Sequence, residues 1–269
     1  MTYPRELSRR TTANGVEIAW DCWGSEGSPT LVLAHGFSGS ACDYDHLVPA
    51  LVDRGWRVVL LEQRGHGRSG RSTTYSLLQL ADDLLELLPH LSDEPVTLLG
   101  HSMGGYVAAQ VAIRAPQLLR QLVLMDTSAW SFAPDSDTVA FLRAFFDGFD
   151  PEQGLPGGVP DGPEDALITE KGAPDHLAAR REMQKRFDPH ALKQLGTELF
   201  GEVTSLRDAL SRLDLPVLVL VGSEDGPFMS QAAELASVTR GALHVIDGGF
   251  HSPQLTHEAE WLTTLDTLT

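Results

Sequence analysis

The run Gly100-His101-Ser102-Met103-Gly104 places a serine between two glycines, each two residues away. An apolar run, Val96 to Leu99, leads into it, and a helical pattern from Tyr106 to Arg114 leads out. A hydroxyl raised off the end of a strand on a tight turn needs a strained backbone at the serine. It also needs small residues on either side, where the neighbouring chain passes close by. The turn sets Ser102 at a helix N-terminus, where unpaired N–H groups and the helix dipole favour developing negative charge. These residues at this spacing are expected to do nucleophilic acyl chemistry.

A serine that keeps its proton is a weak nucleophile, so a base is required. Of the ten histidines, His251 follows the last apolar run in Asp247-Gly248-Gly249-Phe250-His251-Ser252-Pro253, a turn able to carry an imidazole back over the strand ends. His101 is next to Ser102, but adjacent side chains diverge on a sharp turn. Two carboxylates compete to orient the base. Asp225 lies just past a buried run and preserves the chain order serine, acid, histidine. Asp126 ends an earlier run and remains open as the acid or as a capping carboxylate. Acyl transfer also needs donors where the carbonyl oxygen becomes negative. The Met103 N–H is one expected donor, and the Phe37 N–H in His35-Gly36-Phe37-Ser38-Gly39-Ser40 is the other.

A second glycine motif, Gly65-His66-Gly67-Arg68-Ser69-Gly70, has dinucleotide-binding spacing. Such a site needs a helix starting at the glycines and an acidic residue closing the next strand. The helical pattern begins only after Tyr75, and the next apolar run ends in Leu99-Gly100, so the motif reads as a structural turn. Neither His-Glu-x-x-His nor clustered Cys/His spacing occurs, and no metal or cofactor is expected.

The elements that must position these groups alternate. Short apolar runs at Thr30 to Ala34, Arg57 to Leu61, Val96 to Leu99, Gln121 to Met125, Pro216 to Val221 and Ala242 to Ile246 suit strands buried on both faces. The clearest helix, Ser76 to Leu91, repeats leucine every three or four residues, and a last helix is expected over His257 to Leu268. Alternation of this kind implies parallel βαβ units, preceded by a hairpin around Asn14-Gly15. Residues 128–212 break the pattern with helical stretches around Gly154, Pro156, Gly157, Gly158, Pro160, Gly162 and Pro163. The expected organisation is a core of residues 1–127 and 213–269 with a helical cap inserted at 128–212. Trp130, Phe132, Phe141, Phe145, Phe146 and Phe149 are expected to line its apolar pocket.

The chain has 269 residues, 42% hydrophobic and 21% charged, the composition of an ordinary globular protein. A formal charge of −17 repels nucleic acid and anionic membranes, so a small molecule is the expected partner. Two cysteines, Cys22 and Cys42, make no disulfide framework and read as reduced thiols. The N-terminus shows no apolar leader segment and no run is long enough to span a membrane, which makes the cytoplasm the default location. Nothing in the sequence indicates an oligomeric state.

Taken together, His35-Gly36, Arg64 to Ser69, Gly100 to Gly105, Gly222 to Asp225 and Gly249 to His251 resemble the α/β-hydrolase superfamily. The resemblance runs from about Arg9 to Thr269, apart from the cap. It implies an α/β fold with an eight-stranded, mostly parallel sheet whose second strand is antiparallel. It also implies a Ser102–Asp225–His251 triad and a lid after the sixth strand. The implied activity is cleavage of a small carboxylic ester or lactone through an acyl-enzyme on Ser102. Carbon–carbon hydrolysis, cofactorless oxygenation and non-catalytic ligand binding are alternatives on the same fold. Serine in place of aspartate argues against the related haloalkane dehalogenases and epoxide hydrolases.

Overall fold

A computed structural model describes residues 6–132, 137–154, 163–171 and 174–268. Met1 to Arg5 and the turn residues Pro156, Gly157, Gly158, Pro160 and Gly162 lie outside the described residues. Eight strands form one sheet: β1 Arg9–Ala13, β2 Val16–Trp23, β3 Thr30–Ala34, β4 Arg57–Glu62, β5 Val96–His101, β6 Leu119–Met125, β7 Val217–Gly222 and β8 Ala242–Ile246. Their order is β1-β2-β4-β3-β5-β6-β7-β8. β2 pairs antiparallel with β1 and β4, and every other pairing is parallel. The fold class is the expected one. At the hairpin, Asn14 and Gly15 take positive φ angles of 47° and 75°, which match the twist of the flanking strands.

Helices cover both faces. They are α1 Val48–Asp53, α2 Leu77–Leu91 and α3 Met103–Arg114 before the sixth strand; α4 Asp137–Gly148, α5 Pro163–Glu170, α6 Pro174–Gln184, α7 Pro189–Phe200 and α8 Arg207–Leu210 between β6 and β7; then α9 Gly226–Thr239, α10 Pro253–Thr256 and α11 Glu258–Leu265. Ser76 caps α2 by accepting the Gln79 N–H, and Leu80, Leu84, Leu87, Leu88 and Leu91 bury its apolar stripe. Each buried leucine contributes about 1.5–3 kcal/mol. One apolar cluster, including these leucines and Val107 and Val111 of α3, fills one side of the sheet. A second, with Trp56, Leu51 and Trp261, fills the other. Buried strands between two helical layers explain the continuous apolar runs.

β5 runs two residues beyond its apolar run, because Gly100 pairs with Leu124 and His101 with Met125 across the parallel ladder. The sheet therefore delivers Ser102 directly from a paired strand. α9 was hidden in the sequence because its buried residues are mostly small, Ala232, Leu235, Ala236 and Thr239. Between β6 and β7 the described residues form helices and no strand. This insertion rests on the core through Tyr75, whose hydroxyl donates to Asp188 Oδ2 at 2.6 Å, and through the Leu77 N–H, which donates to Glu198 Oε2 at 2.9 Å.

Candidate active site

Ser102 holds φ 53° and ψ −120°, a conformation that few non-glycine residues take. Its N–H donates to the Met125 carbonyl at 2.9 Å and its own carbonyl accepts the Thr127 hydroxyl at 2.6 Å. The two flanking glycines are sterically required. A Cβ at Gly100 would collide with the Gly104 carbonyl, and one at Gly104 would lie 2.5 Å from the carbonyl oxygens of both Ala34 and His35. Ser102 itself is 7% exposed and lines a cavity of about 330 Å³.

His251, from the loop after β8, lines the same cavity. Its Nδ1 donates to Asp225 Oδ2 at 2.9 Å, which leaves Nε2 as the ring's acceptor. Burial pulls the His251 pKa down, but the charge and hydrogen bond of Asp225, with a further contribution from Glu164, outweigh it, and the net direction is upward. Asp225 sits at the N-cap of α9, three residues past the end of β7. Asp126, the other candidate acid, is held by a backbone donor: its Oδ1 accepts the Gly222 N–H at 2.8 Å.

Phe37 lies at the same cavity, and Met103 follows Ser102 in the chain. Met103 is the first residue of α3, so its N–H belongs to the unpaired first turn. Phe37 lines the cavity in a loop that presses against the serine turn, since a Cβ at Gly36 would lie 3.1 Å from Ser102 Cβ. His35 braces that loop from below. It accepts the Gln63 N–H at Nε2 (3.0 Å) and donates from Nδ1 to the Gly36 carbonyl (2.8 Å).

The sequence reading set His101 aside, yet the structure gives it a role. Its ring is 4.9 Å from that of His251, and its Nε2 donates to the His251 carbonyl at 2.6 Å. The two histidines diverge in chain position but meet through the main chain of the second. The sequence also gave no signal for two ties from the insertion. Arg180 of α6 approaches Asp43 Oδ1 at 3.4 Å, and Asp43 Oδ2 accepts the Ser40 N–H beside the Phe37 loop. Glu164 of α5 accepts the N–H of Ser252, the residue after His251.

The aromatic expectation needs correction. Of the six residues named, Phe132 lines the cavity, Trp130 and Phe132 line a smaller one that also reaches Ser102 and Met103, and Phe141 is 69% exposed. Phe146 stacks on Phe200, Phe145 stacks on Phe149, and Trp130 packs under the Arg207 guanidinium. Phe145 and Phe146, on α4, serve packing instead. The cavity's apolar wall comes instead from Phe37, Phe132, Leu142, Phe200 and Phe228, drawn from separate elements.

The Gly65 motif is a structural turn, as expected. Arg68 pairs with buried Glu62 at 2.7 Å, and Arg64 pairs with Asp83 in a buried bidentate contact. Among the described residues, no cluster of three His, Cys, Asp or Glu side chains has metal-binding geometry. No described helix is long and apolar enough to cross a membrane. Cys22 and Cys42 are free thiols.

A family profile for the α/β-hydrolase fold matches residues 29–258. The chain belongs to that family. The chain is similar to the mouse sn-1-specific diacylglycerol lipase ABHD11, at 38% identity over 117 residues, a segment covering 43% of this chain and 38% of the mouse protein. It spans well under half of that relative. RutD of Agrobacterium fabrum is 29% identical over 247 residues, covering 85% of this chain and 88% of RutD. Among solved structures, a carboxylesterase from Nitrososphaera gargenis superposes with a TM-score of 0.79 at 23% identity, covering 97% of both chains. That likeness extends the fold assignment to nearly the whole α/β-hydrolase chain.

Proposed function

We propose that this α/β-hydrolase cleaves a small carboxylic ester or lactone through an acyl-enzyme on Ser102. The observation that carries the reading is the 2.9 Å hydrogen bond from His251 Nδ1 to Asp225 on the wall of the cavity that Ser102 lines. That bond fixes the imidazole tautomer whose Nε2 can take the serine proton. His251 removes the proton as Ser102 Oγ attacks the carbonyl carbon, and the N–H groups of Phe37 and Met103 hold the resulting oxyanion. The tetrahedral intermediate collapses, the C–O bond breaks, and His251 passes its proton to the leaving oxygen. Water then attacks the acyl carbon with His251 again as base, which releases the carboxylic acid and restores Ser102.

Asp225 is favoured over Asp126 as the orienting acid because His251 bonds the former, while Asp126 bonds a backbone N–H. Residues 128–212 act as the cap that closes the apolar cavity, and the wall of phenylalanines favours an aliphatic or aryl acyl group. Two free thiols fit a cytoplasmic setting.

A panel of short p-nitrophenyl esters and lactones tests the reading. Turnover is expected with the wild-type chain, and Ser102→Ala is expected to lower kcat by a factor on the order of 10⁶ with the fold intact. A serine-directed organophosphate should add once, on Ser102, by peptide mass. Near wild-type turnover in Ser102→Ala, or an adduct elsewhere, would overturn the serine mechanism. Binding of esters without turnover would favour a receptor role.

A further inference from the structure

The bond-breaking steps leave one charged group at the cavity without a task. Arg180 of α6 lines the cavity together with Ser102 and His251, and it is the one Lys or Arg among the described residues that do so. Packing sets its place: Ala179 and Met183, four residues apart on one face of α6, bury against Cys42, the residue before Asp43. The helix is thereby seated on the turn that carries the arginine's countercharge.

Asp43 does not saturate that guanidinium. Arg180 Nε stands 3.4 Å from Asp43 Oδ1, an ion-pair distance without a hydrogen bond, and among the described residues neither atom has a hydrogen-bond partner. Asp43 is held from its own side, where its Oδ2 accepts the Ser40 N–H at 3.2 Å within a capping box. A guanidinium carries a planar fork of N–H donors, and an approach through Nε leaves those of Nη1 and Nη2 for what enters the cavity. The rest of the wall is largely phenylalanine and leucine, where a donor without an acceptor is costly. The group that matches such a fork is planar and anionic, since a carboxylate accepts parallel N–H bonds that are charge-assisted.

We propose that Arg180 binds a carboxylate carried by the substrate, so that the compound opened at Ser102 is an ester or lactone bearing a free acid group. The aliphatic segment between the two groups lies along the apolar wall. A cavity of about 330 Å³ is at the small end of ligand sites, which points to short dicarboxylic half-esters and lactones of that size. The inference deepens the serine-hydrolase reading and rests on it. Arg180 selects the substrate and takes no part in breaking the bond.

The first arm compares kcat/KM for monomethyl glutarate and for neutral dimethyl glutarate near pH 7, where the free acid is ionised. The wild type should prefer the half-ester. Arg180→Met should lower the preference ratio by about tenfold or more, chiefly through KM, because a hydrogen-bonded charge pair is lost. Any loosening of the Phe37 loop slows both esters alike and cancels in the ratio. Asp43→Asn breaks the tie but keeps the guanidinium and removes a competing anion, so the preference should hold or rise. An unchanged ratio in Arg180→Met, or a loss in Asp43→Asn equal to that in Arg180→Met, would overturn the proposal. If the Met variant does not fold, Arg180→Gln, which can still donate to Asp43, reads the same ratio.

The second arm needs no turnover. Calorimetry on Ser102→Ala compares the half-amide glutaramate with the neutral diamide glutaramide. Glutaramate should bind more tightly, and adding Arg180→Met should weaken it by about tenfold or more while leaving glutaramide nearly unchanged. Equal binding of the two amides, or binding of neither, would overturn the proposal. Failure of the serine mechanism would show instead as ester turnover in Ser102→Ala, which leaves this comparison intact.

Discussion

The strand-end loops of the core and the helical insertion reach the same cavity by different means. The core loops are held by main chain: Ser102 N–H on the Met125 carbonyl, Ser223 N–H on Ile246 at 3.0 Å and Glu224 N–H on Gly249 at 2.8 Å. Glycines allow these segments to pass in contact, as at Gly222, where a Cβ would strike the Gly249 carbonyl. The insertion reaches the same loops with side chains, Arg180 to Asp43 and Glu164 to Ser252. Main-chain bonds survive most substitutions, whereas a side-chain tie is lost with one. The core loops are therefore expected to tolerate side-chain substitution in holding their geometry, and the insertion's ties are expected to be the adjustable ones.

The largest effect that could break this division lies in the core. Asp225→Asn should lower kcat by about 10⁴ with the fold retained, because the amide favours the wrong imidazole tautomer and cannot stabilise an imidazolium. The pH profile sharpens the test. His251 must be neutral to act as base, and in the native chain its pKa is raised, with burial opposed by the charge of Asp225 and its hydrogen bond. The acid limb of kcat/KM should therefore lie above the ordinary imidazole value of about 6.5 in the wild type. In Asp225→Asn burial is left without its main opponent, and the limb should move to lower pH. A limb that stays in place would assign the base elsewhere.

The same division explains what could be read in the sequence. Gly100 to Gly104 was legible because the chemistry imposes local rules: a strained serine, small neighbours, and strand and helix on either side. His251 and Asp225 were legible from their loops after buried runs, and the strand runs agreed within a residue or two with the ladders. The contact of His101 with the His251 carbonyl left no signal, because that partner lies 150 residues away. Arg180, Asp43 and Glu164 left no trace, since ion pairs between separate helices obey no spacing. Phe145, Phe146 and Phe149 were misassigned for the same reason: periodicity tells which face is buried and not which neighbour it meets.

The smallest effect tests the insertion's tie. Asp43 is buried, with one oxygen committed to the Ser40 N–H and the other toward Arg180, whose side chain is 18% exposed. Arg180 is balanced by Asp43 first among its neighbours and by Glu164 next, an arrangement suited to bracing loops. Arg180→Met keeps much of the aliphatic bulk but leaves the Asp43 carboxyl without its countercharge, at a cost of about 1–3 kcal/mol. The Phe37 loop next to Ser40 should loosen, and kcat should fall by about tenfold, less than the roughly 10²–10³ lost when such a donor is removed outright. Asp43→Asn removes the orphaned charge. If the tie acts as a pair, the double variant should lose less stability than the two single losses added, by about 0.5–3 kcal/mol in a thermal or urea cycle. Strict additivity with unchanged kcat would mean that the insertion merely covers the cavity and leaves the catalytic loops to the sheet.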